Sequence, residues 1–282
     1  MPLLFKKIKD LRNYLKSLRC EKKEIGFVPT MGYLHEGHRA LIRTARNQND
    51  VVVVSIFVNP TQFGEGEDYD RYPRDLNRDL AICEEEGVDV VFAPEVSEIY
   101  PKGYRTKVCV GELGKVLEGA FRPGHFDGVA TIVVKLFNIV QPDRAYFGEK
   151  DYQQLKIIQQ VVEDLNIPVE IVPIPTVRER DGLACSSRNV YLSPEERESA
   201  LSLYKSFLLA EKMIKSGERD AERIKEAIKA FIESHPHVTG IDYVEITDEN
   251  LNPKKVVEKG DRILLAVRIG NTRLIDNWKV EI

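Results

Sequence analysis

The sequence predicts an α/β fold, a doubly wound parallel sheet followed by a smaller α+β domain, and three observations predict it. Val51 to Val58 (VVVVSIFV) is a nearly continuous, β-branched apolar run, as expected of a strand covered on both faces. Up to about residue 175, such runs alternate with segments whose apolar residues recur at helical spacing. Beyond Pro173-Ile174-Pro175 the composition changes to two long charged helical stretches and then to strands, which places a domain boundary at about 175, giving domains 1–175 and 176–282.

The N-terminal stretch Met1 to Lys7 leads into an amphipathic Lys/Arg-rich helix pattern and lacks a long apolar core, so no signal peptide is expected. Ile25 to Val28 read as a short strand that Pro29 and Gly32 break; Leu41, Ile42 and Ala45 then fall at helical spacing. After the strand at Val51–Val58 come a helix over Asp75 to Glu86, a strand at Val88 to Phe92 and a helix over Val129 to Ile139. A strand at Ala145 to Phe147, a helix over Tyr152 to Leu165 and a strand at Val169 to Ile174 complete the first domain. The second holds helices over Pro194 to Ser216 and Asp220 to Ser234, then strands near Ile241 to Ile246, Arg262 to Ile269 and Arg273 to Ile275. In open parallel sheets, ligands bind beyond the carboxyl ends of the strands.

At 282 residues and a net charge of −4, the chain is large enough for a sizeable core and lacks the basic balance of a protein devoted to nucleic acid. Cys20, Cys83, Cys109 and Cys185 lie far apart, without metal or disulfide spacing, so reduced cytosolic thiols are expected. No apolar run is long enough to span a bilayer.

Five segments carry polar chemistry in places that a core would not explain. His35 and His38 stand where a strand gives way to a helix; unpaired N–H groups and the helix dipole favour an anion there, and Gly37 allows close approach. The same pair also suits ordinary helix-start histidines, and less well a zinc pair, which usually stands four apart and needs a third ligand. Asn59 and Gln62 offer neutral amides suited to hydroxyls or a carboxylate, though a plain strand-to-loop turn would look alike. Arg122 and His125 lie in a Gly/Pro loop opening an apolar helix that Asp127 is expected to cap. In Gly148–Gln154, Lys150 can meet a phosphate and Asp151 can accept from a ribose or order a metal; solvated helix-start residues are the plain alternative. Cys185-Ser186-Ser187-Arg188-Asn189 combines hydroxyls with a guanidinium, either to hold a phosphate chain or as a surface loop.

Taken in order, Pro29 to His38, Ser55 to Phe63, Arg71-Tyr72-Pro73-Arg74, Arg122 to Phe126, Phe147 to Gln154, Ser186 to Asn189 and the closing Arg273-Leu274-Ile275-Asp276-Asn277 resemble the pantothenate synthetase (pantoate–beta-alanine ligase) family. The resemblance is essentially full length. It implies a Rossmann-like nucleotidyltransferase-superfamily fold and an ATP-dependent ligation of pantoate to beta-alanine through a pantoyl-adenylate, with ATP, pantoate and beta-alanine as partners. Cytoplasmic location, a homodimer, and no nucleic-acid or membrane partner are further expectations. By similarity, His35, His38, Lys150 and Arg188 are catalytic. Met31, Gly32, Tyr33, Leu34, His35, Glu36, Gly37, His38, Gly148, Glu149, Lys150, Asp151, Val177, Cys185, Ser186, Ser187 and Arg188 would contact ATP. Gln62 would hold pantoate and beta-alanine, Gln154 pantoate, with Asn59, Arg122 and His125 beside them. Mg²⁺ would ride mainly on ATP oxygens, with Asp79 a protein-side partner, and residues 176–282 would act as a lid. Many family members carry a larger apolar residue where this chain has Cys185. A thiol nucleophile there is a poor fit, since no histidine is near in sequence. Another adenylate- or cytidylyl-forming member of the superfamily is the nearer alternative, and a non-catalytic nucleotide- or RNA-binding module the more distant one.

Overall fold

A computed structural model of the chain describes residues 1–281. These form two compact units: Met1–Glu149 with Gln154–Pro175, and Lys150–Gln153 with the residues from Thr176 onward.

The first unit runs β1 (Leu3–Phe5), α1 (Ile8–Cys20), β2 (Ile25–Thr30), α2 (Glu36–Gln48), β3 (Val51–Ile56), α3 (Leu76–Glu85), β4 (Val90–Phe92), α4 (Val96–Ile99), α5 (Glu118–Phe121), α6 (His125–Val140), β5 (Arg144–Gly148), α7 (Tyr152–Asp164) and β6 (Glu170–Ile174). Its sheet has the order β1-β4-β3-β2-β5-β6, and every neighbouring pair is parallel. The chain therefore moves outward from β2 through β3 to β4, then returns to lay β5 on the other side of β2. That reversal is the topological switch point of a doubly wound sheet, and the carboxyl ends of β2 and β5 open there.

Val52, Val53 and Val54 of β3 are fully buried, as their unbroken apolar run requires of a central strand. On α2, Leu41, Ile42 and Ala45 face the sheet. Helix α6 is buried round most of its circumference.

Two local expectations are corrected. Strand β2 does not stop at Val28 but continues through Pro29 to Thr30, paired with Ser55 and Ile56 of β3. The Thr30 carbonyl accepts from Phe57 N at 3.1 Å, so Thr30 faces β3 and Pro29 faces the β5 side. There the ladder reaches only Phe27, and the missing N–H of Pro29 forfeits no bond. Strand β1, which no sequence pattern marked, adds Leu3–Phe5 to the outer edge beside β4.

The second unit contains α8 (Pro194–Lys215), α9 (Ala221–Glu233) and an antiparallel sheet of β7 (Val238–Thr247), β8 (Arg262–Ile269) and β9 (Thr272–Lys279). Phe207, Ile224, Ile228, Val244, Leu265 and Val267 form its core. Strand β9 runs past the expected Ile275 because Asp276 and Asn277, polar in sequence, are both buried.

Gly128 is required where α6 meets the chain after β3. A Cβ added there would lie 2.3 Å from the Thr61 carbonyl oxygen and 2.8 Å from Gln62 Cα. Both contacts are backbone and cannot swing aside. Gly128→Ala is therefore expected to destabilise the first unit by about 3 kcal/mol, seen as a melting temperature several degrees lower. An unchanged melting curve would contradict the packing.

Candidate active site

The turn after β2 is built by short-range bonds and one long-range carboxylate. Thr30 Oγ1 donates to the Ser55 carbonyl at 2.7 Å and accepts from Gly32 N at 3.1 Å. Gly32 has φ +83°, and a Cβ there would come within 2.9 Å of Ile56 Cγ2 and 3.0 Å of Asp79 Oδ2. Tyr33 follows with φ +49°. Asp79, on α3, accepts from Tyr33 N and Leu34 N, each at 2.8 Å, one on each carboxylate oxygen. Burial raises its carboxyl above the ordinary value, against the pull of those two amides. Both oxygens are thus engaged, and among the described residues no group of three or more His, Cys, Asp or Glu side chains could hold a metal ion. Asp79 is placed to anchor the turn.

His35 is the N-cap of α2 and His38 its third residue, joined in a capping box. His35 Nδ1 accepts from Gly37 N at 3.1 Å, and His38 Nδ1 accepts from His35 N at 3.2 Å. A backbone N–H can only donate, so each neutral ring must carry its proton on Nε2. The two rings lie with centroids 4.0 Å apart. Two Nε2–H donors at a helix start, where the dipole is positive, form an arrangement that favours an anion. Glu36, by contrast, is ion-paired with Arg43 on the same helix.

Gln62 sits in a second cluster. Asn59 caps the 3₁₀ turn Pro60–Gln62. Its Nδ2 donates to Gln62 Oε1 at 3.0 Å and to the Gly128 carbonyl at 3.2 Å, while its Oδ1 accepts from Tyr100 OH at 2.7 Å. Burial pushes the Tyr100 hydroxyl up to about 12, so it stays a donor. Gln62 Nε2 reaches Met31 Sδ at 3.3 Å, which ties this cluster to the turn after β2. Below Gln62, His125 Nδ1 lies 2.8 Å from the Gln62 carbonyl and its Nε2 lies 3.2 Å from Arg122 Nη1. The carbonyl only accepts and the guanidinium only donates, so the proton is on Nδ1, the opposite tautomer to His35 and His38. Arg122 in turn donates from Nε and Nη2 to the two oxygens of Glu67 at 2.7 and 2.6 Å. Burial by itself would raise Glu67, but the Arg122 bonds and charge hold it below the usual carboxylate range. The bonds join Asn59 and His125 directly to Gln62, and Arg122 to it through His125. Asp127 is a further correction: Gly124, not Asp127, is the N-cap of α6, and Asp127 Oδ1 instead accepts from Val110 N at 3.0 Å.

Gly148 closes β5 opposite Ile174 of β6, and a Cβ there would meet nothing within 4 Å. Glu149 follows it in the first unit, as does Gln154, which lies on α7 and is half-buried.

The remaining expected residues belong to the second unit. Lys150 Nζ lies 3.4 Å from Asp151 Oδ1. Val177 O accepts from Cys185 N at 3.0 Å in a small hairpin closed by an Arg178–Ala184 bridge. Ser186 caps the 3₁₀ turn Ser187–Tyr191, its Oγ accepting from Arg188 N at 3.3 Å. Cys185 is buried and forms no disulfide. Tyr100 and Glu67 escaped sequence reasoning, since neither is adjacent to a motif, and Glu67 stands in the acidic run Glu65–Asp68 that reads as a solvated loop.

The family profile described as Pantoate-beta-alanine ligase matches residues 3–279. The chain belongs to that family. It is 88% identical over 281 residues, covering 100% of both sequences, to the pantothenate synthetase of Aquifex aeolicus (strain VF5). It superposes with a TM-score of 0.94 on the crystal structure of pantothenate synthetase from Thermus thermophilus, at 49% identity, covering 99% of this chain and 100% of that one. The pantoate-beta-alanine ligase of Francisella tularensis, complexed with beta-gamma ATP and beta-alanine, matches with a TM-score of 0.82 and 38% identity, over 99% of this chain and 98% of that one.

Membership leaves the support of Gln62 open to test through pH. Burial first, and then the neighbouring Arg122 charge, lower the His125 imidazole from 6.5 to about 4. The unfolded chain binds its proton near the ordinary value and the folded one only near 4, so within that window stability falls as pH is lowered. The loss approaches about 3 kcal/mol below both values and is absent at neutral pH. His125→Asn, whose amide can still donate to the Gln62 carbonyl, is expected to be less stable at neutral pH but to lack this contribution. Melting temperatures of both proteins from pH 4 to 7 measure it, and parallel curves would refute the assignment.

Proposed function

We propose that the chain ligates pantoate to beta-alanine at the expense of ATP, forming pantothenate, AMP and pyrophosphate through a pantoyl-adenylate. The observation that carries this is the pair of Nε2–H imidazole donors at the start of α2, with Gln62 tied to the same turn through Met31. Family membership across residues 3–279 sets the reaction class.

A carboxylate is a poor acceptor for an amine until one oxygen becomes a good leaving group. In the first half-reaction a pantoate carboxylate oxygen attacks the α-phosphorus of ATP and pyrophosphate departs. Negative charge grows on the leaving side, where His35 and His38 donate their Nε2 protons in hydrogen bonds, and Lys150, Ser186, Ser187 and Arg188 supply further donors to the phosphates. Gly148, Glu149, Asp151, Val177 and the main chain at Cys185 hold the nucleotide. Gly148 suits this because the space where a side chain would be is open. Gln62 and Gln154 grip the hydroxyls and carboxylate of pantoate. In the second half-reaction the amine of beta-alanine attacks the acyl carbon, AMP leaves with the electron pair of the broken C–O bond, and the new amide sheds a proton. Mg²⁺ enters with ATP as part of the substrate, consistent with Asp79 being committed to backbone amides. The lid action of residues 176–282, a homodimer and a cytoplasmic location belong to the same proposal. No helix among the described residues is long and apolar enough to cross a membrane.

With ATP, Mg²⁺ and pantoate alone, the protein is expected to exchange labelled pyrophosphate into ATP; beta-alanine without pantoate should support none. Exchange that requires beta-alanine would overturn the adenylate route. Removing one preorganised donor costs about 10²–10³ in rate, so His38→Ala and Lys150→Ala should each slow the exchange by that factor. Gln62→Ala and Gln154→Ala should instead raise the KM for pantoate more than that for ATP.

A further inference from the structure

The closing Asp276-Asn277 pair takes no part in the chemistry above, yet both residues are buried, at 4% exposure each. Asn277 uses both ends of its amide. Its Oδ1 accepts from Arg262 Nη1 at 2.8 Å, and its Nδ2 donates to the main-chain carbonyl of Lys150 at 3.0 Å. The guanidinium can only donate and the carbonyl can only accept, so these partners fix which end is which. Asn277 is itself held. Its N–H donates to Asp276 Oδ1 at 2.8 Å, and Asp276 takes two bonds from Arg178, at 2.6 and 2.9 Å. Arg178 also donates to the Asn277 carbonyl at 3.2 Å, and its guanidinium packs over the rings of Tyr204, Phe207 and Trp278.

The segment that Asn277 grips is short and is held a second time. Arg262 Cζ lies 3.9 Å over the Tyr152 ring, and Tyr152 OH donates to the Glu249 carbonyl at 2.9 Å. These bonds account for Lys150–Gln153 grouping with the second unit although the first unit flanks it in sequence on both sides. A buried bidentate ion pair adds little net stability, because desolvation offsets most of its attraction; what it does supply is a fixed direction.

We propose that Asn277 is a positioning residue that aims Lys150 at the phosphates by holding its carbonyl, with Arg178, Asp276 and Arg262 holding Asn277. This rests on the role given to Lys150 under the proposed function. Rotation of the Lys150 peptide would swing the ammonium away from its target, and a misplacement of about 1 Å at a charge-stabilising donor can cost about a hundredfold in rate.

The test is a double-mutant cycle read by pantoate-dependent pyrophosphate exchange. Asn277→Asp keeps the Arg262 contact and replaces the donor to Lys150 with an acceptor that repels its carbonyl. It is expected to lower the exchange rate ten- to a hundredfold at saturating ATP and pantoate. In a Lys150→Ala background the same change should alter the rate less than about twofold, since its effect passes through Lys150. Equal losses in both backgrounds, or a wild-type rate in a folded Asn277→Asp protein, would overturn the proposal. If Asn277→Asp fails to fold, Tyr152→Phe replaces it, removing the hydroxyl that bonds Glu249 while keeping the ring under Arg262. A severalfold loss that disappears in the Lys150→Ala background supports the positioning role, and a wild-type rate overturns it. Wild-type protein that shows no exchange at all would instead overturn the proposed function, and this inference with it.

Discussion

One buried carboxylate fixes the turn that follows β2 in the first unit. Asp79 comes from α3, 46 and 45 residues beyond the Tyr33 and Leu34 amides that it accepts from. Those amides belong to a turn with two consecutive positive φ values, at Gly32 and Tyr33, which brings them together and leaves them without a strand or helix partner. Burying two unpaired N–H groups would cost about 1–3 kcal/mol each, so the turn holds only with an acceptor at that point. Its shape then determines where the chain enters α2: His35 falls at the cap, and His38 one turn further along on the same face. The Gly32 position closes the loop, since any Cβ there would press on the same Asp79 oxygen. Strand end, turn and helix start are therefore one unit whose central member is distant in sequence.

The three histidines around the site show how partners alone assign opposite tasks to one side chain. His35 and His38 accept backbone protons on Nδ1 and keep Nε2–H. His125 faces a carbonyl on Nδ1 and a guanidinium on Nε2, so it is locked as an Nδ1–H donor toward the backbone. A second proton on His125 would point at Arg122, and this repulsion, together with burial, keeps the ring neutral to about pH 4. It is a brace, and the Glu67–Arg122 pair behind it fixes the brace in turn.

The parallel sheet was legible because its signal is local: Val51 to Ile56 can satisfy its pattern only as a covered strand, and Leu41, Ile42 and Ala45 only as one face of a helix. The helix-start histidines were legible for the same reason, since a cap is defined by its immediate neighbours. What could not be read were roles set by partners far away. Arg122 meets Glu67 across 55 residues and His125 meets the Gln62 carbonyl across 63, partners that nothing in the local sequence marks. Asp127 fits the composition of a cap, but Gly124 precedes it at the helix start and Val110 N takes its carboxylate. Asn277 lay beyond the strand end expected at Ile275, and only the fold shows that Arg262 and the Lys150 carbonyl meet there.

The charge around the His35–His38 pair bears on what kind of binding it can offer. Helix α2 carries Arg39 and Arg43 just beyond the pair, but Arg39 is bonded to Glu85 and Glu86, and Arg43 to Glu36 and Glu86. The cations of the helix are thereby neutralised by carboxylates, and the helix start presents neutral donors in the field of its own dipole. Neutral donors hold a fully ionised phosphate less tightly than arginines would, and their bonds strengthen as negative charge builds on an accepting oxygen. Under the proposed reaction that build-up occurs on the departing pyrophosphate. An interaction that grows between ground state and transition state raises kcat, whereas one equally strong in both only lowers KM and slows product release. Under that proposal, the pairing of Arg39 and Arg43 with glutamates does more than hold α2 to α3: it would leave the phosphates of the first unit to donors whose contribution is largest at the moment of bond breaking.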